Sequence, residues 1–141
     1  MKISLLAVGR LKDAWLETGA NDYLKRLRGK LPVEVIEIPE GKPILPKVPP
    51  RTRLWALDER GTELTSVELA NKLGDAMRTS EHGWTWVIGG ADGLAEEVLK
   101  AAHFRWSLGR LTLPHRLCRI IVLEQLYRAH SILRGEPYHR P

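Results

Sequence analysis

Short runs of apolar residues alternate with amphipathic segments along this chain. The apolar runs have the length of strands and predict them at Lys2–Val8, Val33–Ile38, Arg53–Leu57, Trp84–Ile88 and Arg110–Leu113. The amphipathic segments repeat their apolar residues at helical spacing and predict helices at Asp13–Leu27, Thr65–Arg78, Leu94–His103 and Pro114–Leu133. This alternation predicts an α/β fold, in which a mostly parallel sheet carries helices on both faces.

Prolines and capping residues set several of the predicted boundaries. Gly41–Pro50 contains four prolines, so it is predicted to be an ordered, extended connection rather than a helix or a central strand. Thr65 and Glu68 have the spacing of a capping box, which begins a helix. Pro114 suits the first position of the last helix, and Gly135 and Pro137 end it.

The last predicted helix is apolar around a whole turn at Ile120–Leu123. A helix with one face in solvent would not have this pattern, because its exposed side would be polar. The pattern therefore favours a homodimer that covers the second side, or a helix threaded through the domain. An unusually well-covered helix in a monomer is the alternative.

Length and composition indicate one soluble domain over residues 1–141. The 43% hydrophobic and 28% charged residues are ordinary for a globular protein. The apolar run at the N-terminus is too short for a secretory signal, and no stretch is long enough to span a membrane. The single cysteine, Cys118, has no partner for a disulfide or a metal site, and a core position is expected for it. These features favour a cytoplasmic protein without a metal.

The charge balance suggests a polyanionic partner. The chain has 22 Lys and Arg against 17 Asp and Glu, which gives a formal net charge of +5. RNA would fit such a balance, but many modestly basic proteins bind no polyanion. Charge by itself leaves both possibilities open.

Ligands in open parallel sheets bind beyond the carboxyl ends of the strands. Three loops are predicted there: the loop after Leu57, the glycine-rich Gly89–Gly93, and Leu113–His115. Gly89 and Gly90 would let the backbone approach a ligand closely, although this loop by itself favours a plain tight turn. The loop lacks the dinucleotide fingerprint and the phosphate-binding loop motif, which disfavours a nucleotide-dependent oxidoreductase.

Two further sets of residues could carry chemistry. His115 lies at the start of the last helix, where it could act as a base, contact RNA, or simply cap or pack the helix. Tyr138, His139 and Arg140 end the chain with side chains that can stack on an unpaired base, hydrogen-bond its edge and hold phosphate. A frayed terminus is the alternative for these three residues.

Taken in order, the motifs resemble one family over nearly the whole chain. They are Ile88-Gly89-Gly90-Ala91-Asp92-Gly93-Leu94, Trp106-Ser107-Leu108, Leu111-Thr112-Leu113-Pro114-His115, Leu126-Tyr127-Arg128-Ala129 and Pro137-Tyr138-His139-Arg140. Ala7-Val8-Gly9, Tyr23-Leu24, Ile36-Glu37-Ile38-Pro39 and Gly41-Lys42 match as well. The chain resembles the RlmH family of the SPOUT superfamily, bacterial methyltransferases of large-subunit ribosomal RNA. Two departures are Ala91-Asp92 in place of Pro-Glu, and Lys42–Pro50 in place of a helix-forming insertion.

The resemblance implies a homodimer of small α/β domains, each with a trefoil knot over about residues 84–133 and an RNA-facing tail at 135–141. It implies that S-adenosylmethionine is the methyl donor. The residues implied to hold it are Leu57, Gly89, Gly90, Gly109, Arg110, Leu111, Thr112, Leu113 and Pro114. His115, Tyr138, His139 and Arg140 are implied to face the target nucleotide, the tail reaching it across the dimer.

The implied reaction is methylation of N3 of a pseudouridine in 23S ribosomal RNA, within assembled ribosomes. The imide nitrogen would attack the methyl carbon directly, with no covalent enzyme intermediate. His139, His115 or water would take the imide proton, and Arg140 would stabilise the anion that develops on the base. A non-catalytic protein of the same fold that binds RNA or the ribosome is the competing hypothesis.

Overall fold

The computed structural model describes residues 1–79 and 82–141 and contains five strands and four α-helices within them. The strands are β1 (Ile3–Val8), β2 (Val33–Ile38), β3 (Arg53–Glu63), β4 (Trp84–Ile88) and β5 (Phe104–Ser107). The helices are α1 (Ala14–Leu27), α2 (Ser66–Thr79), α3 (Glu96–Ala101) and α4 (His115–Leu133), and Leu45–Lys47 forms one turn of 3-10 helix. No described helix is long and apolar enough to cross a bilayer.

All five strands run parallel, in the spatial order β2-β1-β4-β3-β5. Their carboxyl ends therefore lie along the same edge of the sheet. The segments predicted to bind a ligand lie in the second half of β3 and after β4 and β5, and these three strands are neighbours in this order. The topology thus brings together segments that are about twenty or more residues apart in sequence.

Helices cover both faces of the sheet, as the alternation of elements predicts. α1, α2 and α4 pack on the face that contains Leu5 and a group of large aromatic side chains. The 3-10 turn and α3 pack on the opposite face, which contains Leu6 and Val87. This second layer is thin, because a ten-residue connection and a two-turn helix supply it.

Four tryptophans from three strands form the centre of the larger core. Trp55, Trp84, Trp86 and Trp106 are each at most 4% exposed. The ring centroids of Trp55 and Trp84 are 4.6 Å apart at 87°, and those of Trp86 and Trp106 are 5.1 Å apart at 66°. Edge-to-face packing of this kind favours one arrangement of the rings over others. It also attaches β5 to the rest of the sheet.

The position of the last strand differs from the prediction. Arg110–Leu113 is not a strand, and β5 lies instead at Phe104–Ser107. Phe104 packs on Trp55 at 4.4 Å, and β5 pairs with β3, whereas Leu111 is 77% exposed. A strand needs a neighbouring strand for its backbone hydrogen bonds. The alternating pattern of Arg110–Leu113 does not reveal whether such a neighbour is present.

Two connections also differ from their predicted form. Gly41–Pro50 is not extended throughout, because Leu45–Lys47 makes a 3-10 turn with a proline in its first positions, where proline is tolerated. β3 does not end at Leu57: its pairing with β5 shifts register between Leu57 and Thr62, and the strand resumes after this bulge. A Cβ on Gly61 would lie 2.5 Å from the Arg105 carbonyl oxygen, so the bulge requires glycine there.

α3 begins at Glu96 and is shorter than the predicted Leu94–His103, while Pro114 caps α4 one residue before the helix begins. α4 is buried along Val122, Leu123 and Leu126, but Ile121 on its other side is only half-buried. The sheet side of this helix is therefore covered within the chain, whereas the other side is not fully covered.

Candidate active site

A cavity of about 680 Å³ opens at the carboxyl edge of the sheet, beside the ends of β3, β4 and β5. Its walls come from residues 57–60, 88–94, 106, 108–109 and 111–115, with Leu99 and Cys118 behind them. Leu57, Ile88 and Trp106 give it an apolar floor, and the loops surround that floor with backbone groups. This volume and mixed lining are typical of sites for small organic ligands, which occupy about 300–1,000 Å³.

The turn after β4 forms the wall nearest the sheet. The Gly93 amide donates to the Gly90 carbonyl at 3.0 Å, which folds Gly89–Gly93 back on itself. A Cβ on Gly89 would lie 2.6 Å from the carbonyl carbon and oxygen of Gly93, a separation that real Cβ atoms do not reach. Glycine at 89 is thus required for the turn to close.

The segment from Ser107 to Pro114 forms the opposite wall. The Ser107 hydroxyl donates to the Gly109 carbonyl at 3.0 Å and accepts from the Gly109 amide at 3.2 Å. This clamp and the positive φ of 137° at Gly109 turn the chain out of the sheet. Within the described chain, the amides of Leu111 and Leu113 have no hydrogen-bond partner, so they are available to a ligand.

α4 begins at the rim of the cavity. His115 and Cys118, three residues apart on this helix, both line the cavity. Burial raises the pKa of the Cys118 thiol, which keeps it neutral and makes it a lining group rather than a nucleophile. Arg119, which is 4% exposed, donates to Glu37 Oε2 at 2.6 Å and to the Gly9 carbonyl at 3.0 Å, and so anchors this end of α4 to the sheet edge.

Every residue predicted to hold the cofactor lines the cavity except Arg110, which is exposed and lies outside it. Lining residues that were not predicted individually include Asp58, Glu59, Arg60, Trp106, Leu108 and Cys118, although the first three belong to the segment after Leu57 that was predicted to reach a ligand. The bulge in β3 brings the first three to the cavity, and no local pattern in the sequence predicts that bulge. Cys118 was expected in the core; it packs against the core and also lines the cavity.

The tail is ordered against the second half of α4. The Tyr138 hydroxyl donates to Glu124 Oε2 at 2.8 Å, and its ring lies at 82° to that of Tyr127, with centroids 4.8 Å apart. Arg128 contacts Glu124 at 2.6 Å and His139 at 3.1 Å. These contacts contradict a frayed terminus.

The charges of this cluster stabilise one another. Burial raises the pKa of Glu124, but hydrogen bonds from Arg128 and Tyr138 outweigh it, and the net pKa is lowered. The Glu124 hydrogen bond raises the pKa of Arg128, and burial together with the Glu124 carboxylate raises that of Tyr138. At neutral pH the cluster therefore contains a carboxylate, a guanidinium and a neutral phenol.

The tail and the cavity lie apart within one chain. His115 lines the cavity, whereas the tail is bound at Glu124 and Arg128, nine and thirteen residues further along α4. At 1.5 Å per residue, that is about 14–20 Å along the helix axis. The structure thus brings His115 to the predicted cofactor residues but does not bring Tyr138, His139 and Arg140 to them.

Comparison with known proteins identifies the family to which this arrangement belongs. The family described as "Predicted SPOUT methyltransferase" matches residues 1–139. The chain belongs to the SPOUT methyltransferase family. The resemblance noted in the sequence is confirmed, and so is the α/β fold expected from it.

Relatives that match at full length lie within this family. The chain is 44% identical over 156 residues to ribosomal RNA large subunit methyltransferase H of Anaeromyxobacter dehalogenans, covering 99% of this chain and 100% of that protein. It is 42% identical over 161 residues to the protein of the same name from a Psychrobacter species, covering 99% of each. A probable methylase family protein from Haemophilus influenzae shares the fold, with a TM-score of 0.63 over 94% of this chain and 66% of that one at 12% identity.

S-adenosylmethionine is the methyl donor of this family, and the cavity has the properties to hold it. Apolar side chains form the floor, the unpaired amides of the 107–114 segment can meet the edge of a purine, and glycines let the backbone come close. No group of three His, Cys, Asp or Glu side chains in residues 1–79 and 82–141 is placed to bind a metal ion.

Proposed function

We propose that this protein methylates N3 of a pseudouridine in 23S ribosomal RNA, within assembled ribosomes in the cytoplasm. The observation that carries this proposal is the glycine-walled cavity at the carboxyl edge of the sheet, formed by the segments that resemble the family's cofactor loops. Near-complete alignment with ribosomal RNA large subunit methyltransferases H supports the choice of substrate.

The proposed cofactor contacts follow from the walls of the cavity. Leu57 and Trp106 would pack against the adenosine, and the amides of Leu111 and Leu113 would hydrogen-bond its polar edge. Gly89 and Gly90 would let the ligand lie against the backbone. When bound, S-adenosylmethionine supplies an electrophilic methyl group on a positively charged sulfur.

A homodimer would unite the tail with a cavity. The tail lies about 14–20 Å along α4 from the cavity of its own chain, so it would serve a cavity only across an interface. Trp15 and Leu111 are 66% and 77% exposed, and Ile121 is half-buried, so apolar surface remains for a partner. Two copies with antiparallel α4 helices would place each tail at the other's cavity.

The knot implied for residues 84–133 belongs to the same proposal. β4 lies between β1 and β3 in the sheet, although it follows both in the chain. The segments after β4 and β5 then return to the same edge to form the cavity. A threaded chain would hold those two segments in a fixed mutual geometry.

A group of exposed basic residues at the end of α1, in the loop after it and at the end of α4 would hold the RNA backbone. We call this group the basic face; it consists of Lys25, Arg28, Lys30 and Arg134. All four are exposed, and only Lys30 has a carboxylate partner in the described chain, Glu136 at 3.4 Å. The other three are available for phosphates, whose contacts position an RNA without reading its sequence.

A first prediction concerns the contribution of the basic face to ribosome binding. Replacing Lys25 and Arg28 by alanine should weaken ribosome binding and reduce the slope of log affinity against log salt by about 2, because two phosphate contacts are lost. S-adenosylmethionine affinity should not change. Filter binding across a salt series measures both effects.

Lys47→Ala with Lys100→Ala is the matched control, because it removes the same charge from exposed positions on the other face of the sheet. An equal decrease in slope in the control would mean that net charge matters and the basic face does not.

Methyl transfer tests the proposed function directly. Labelled S-adenosylmethionine is incubated with the protein and with free ribosomal RNA, isolated large subunits or whole ribosomes, and the modified base is mapped. Label on N3 of a pseudouridine, with whole ribosomes preferred, is the expected result. If the protein binds ribosomes but transfers no label and binds no cofactor at millimolar concentration, the non-catalytic alternative is correct.

A further inference from the structure

His139 is held in a way that selects one neutral form of its imidazole ring. Its Nδ1 lies 3.1 Å from a terminal guanidinium nitrogen, Nη1, of Arg128. A guanidinium has N–H donors and no acceptor, so Nδ1 must accept this hydrogen bond. The proton of the neutral ring therefore resides on Nε2, at the side of the ring that faces away from Arg128.

Arg128 cannot easily turn away from this role, because Glu124 binds its other two nitrogens. Nη2 donates to Glu124 Oε2 at 2.6 Å and Nε donates to Oε1 at 3.3 Å, which leaves Nη1 for His139. Glu124 and Arg128 are four residues apart on α4, and their side chains are 18% and 22% exposed, respectively. A two-point contact of this kind fixes the plane of the guanidinium.

Tyr138 fixes the backbone immediately before His139. Its hydroxyl donates to the same Glu124 carboxylate, and its ring packs between the ring of Tyr127 and the guanidinium of Arg128, each 4.8 Å away. Glu124 thus orients both neighbours of the imidazole. Any rotation of His139 that freed Nδ1 would remove the partner of an Arg128 Nη1–H group.

We propose that Glu124 and Arg128 are positioning residues that make His139 a hydrogen-bond donor to the target base, and exclude it as the general base. This rests on the proposed function. The Nε2–H would donate to a carbonyl oxygen next to the imide nitrogen, where negative charge accumulates as that nitrogen loses its proton. The nitrogen forms its bond to the methyl carbon, the carbon–sulfur bond breaks with its electron pair on sulfur, and the imide proton goes to solvent water.

Two substitutions of His139 distinguish a role as hydrogen-bond donor from a role as general base. The amide nitrogen of glutamine can take the position of Nε2 and donate, but glutamine cannot accept a proton. His139→Gln should therefore keep kcat within about tenfold of the unaltered protein, while His139→Ala should lose about a hundredfold or more. If the two variants are equally inactive although both bind cofactor normally, the donor role is wrong.

Nitrogen-15 NMR of histidine-labelled protein tests the tautomer without any activity. The signals of His139, assigned by their absence in His139→Gln, should show a protonated Nε2 and a bare Nδ1. Arg128→Gln should give a mixture of tautomers, since an amide can accept as well as donate, whereas Arg128→Lys should preserve the Nε2–H form. A proton on Nδ1 in the unaltered protein would overturn the inference.

The activity measurements and the NMR spectra together also distinguish failure of this inference from failure of the proposed function. A protein that methylates no ribosome but shows the Nε2–H tautomer would refute the function and leave the positioning intact. A protein that methylates ribosomes but has a protonated Nδ1 would support the proposed function and refute the positioning role of Glu124 and Arg128. Where a variant fails to fold, the spectrum of the unaltered protein still decides the tautomer.

Discussion

Arg140→Ala should reduce methyl transfer to ribosomes by about a hundred- to a thousandfold while leaving S-adenosylmethionine affinity within twofold. Arg140 is exposed, and none of the described residues forms an ion pair with it. Its guanidinium can stabilise the anion on the target base, and loss of one such group typically costs this much. The cofactor cavity is formed by other residues, so binding should be unaffected.

Single-turnover kinetics and calorimetric titration measure the two quantities for Arg140→Ala. Arg53→Ala, which removes an exposed arginine from the start of β3, is the matched control and should be active. Unchanged turnover in Arg140→Ala would remove the tail from the active site.

Gly89→Ala should raise the dissociation constant of S-adenosylmethionine at least tenfold and destabilise the fold by about 1–3 kcal/mol. The new methyl group would be 2.6 Å from the Gly93 carbonyl, so the turn must open or move into the cavity. Gly89 does not have a positive φ, so the effect arises from this contact and not from backbone strain. Calorimetry with the cofactor and urea unfolding measure the two effects.

Gly29→Ala separates loss of the site from loss of stability. Gly29 has a φ of 75° and open space where a Cβ would be placed, and it lies far from the cavity walls. The Gly29→Ala variant should be destabilised by backbone strain alone, and it should bind the cofactor normally. Equal loss of cofactor affinity in both variants would mean that stability, not the turn, controls binding.

Mixing Arg140→Ala with Gly89→Ala, at a concentration of S-adenosylmethionine too low to fill the Gly89→Ala cavity, tests whether sites are shared between subunits. In a dimer of Arg140→Ala with Gly89→Ala, one site would combine an intact cavity with an intact tail, and the other would have neither. Random exchange makes about half the dimers mixed, so about a quarter of full activity should return. No recovery after confirmed exchange would place the tail and the cavity of each site in the same chain.

The periodicity of apolar residues was sufficient to predict four of the five strands, the four helices and the edge of the sheet at which the cavity opens. Ile3–Val8 and Trp84–Ile88 are mostly apolar because both faces of these strands are covered. The predicted cofactor residues came from motif resemblance rather than periodicity, and eight of the nine line one cavity. Arg110 is the exception, since a contiguous motif does not indicate which of its side chains turns outward.

Pairing between strands that are distant in sequence decided the position of β5 and the bulge in β3. Arg110–Leu113 and Phe104–Ser107 are both plausible strands by composition, and only the latter can pair with β3 and pack Phe104 on Trp55. The bulge that brings Asp58 to the cavity has the same origin, because it arises from register between two strands.

The sequence by itself determined the fold class, the family and the residue types available for catalysis, since these depend on local pattern and motif order. Only the tertiary structure decided that the tail is bound to Glu124 and Arg128, away from its own cavity, and that His139 presents Nε2–H. Hydrogen-bond direction and separation depend on atoms brought together from distant parts of the chain, and no one-dimensional pattern encodes them.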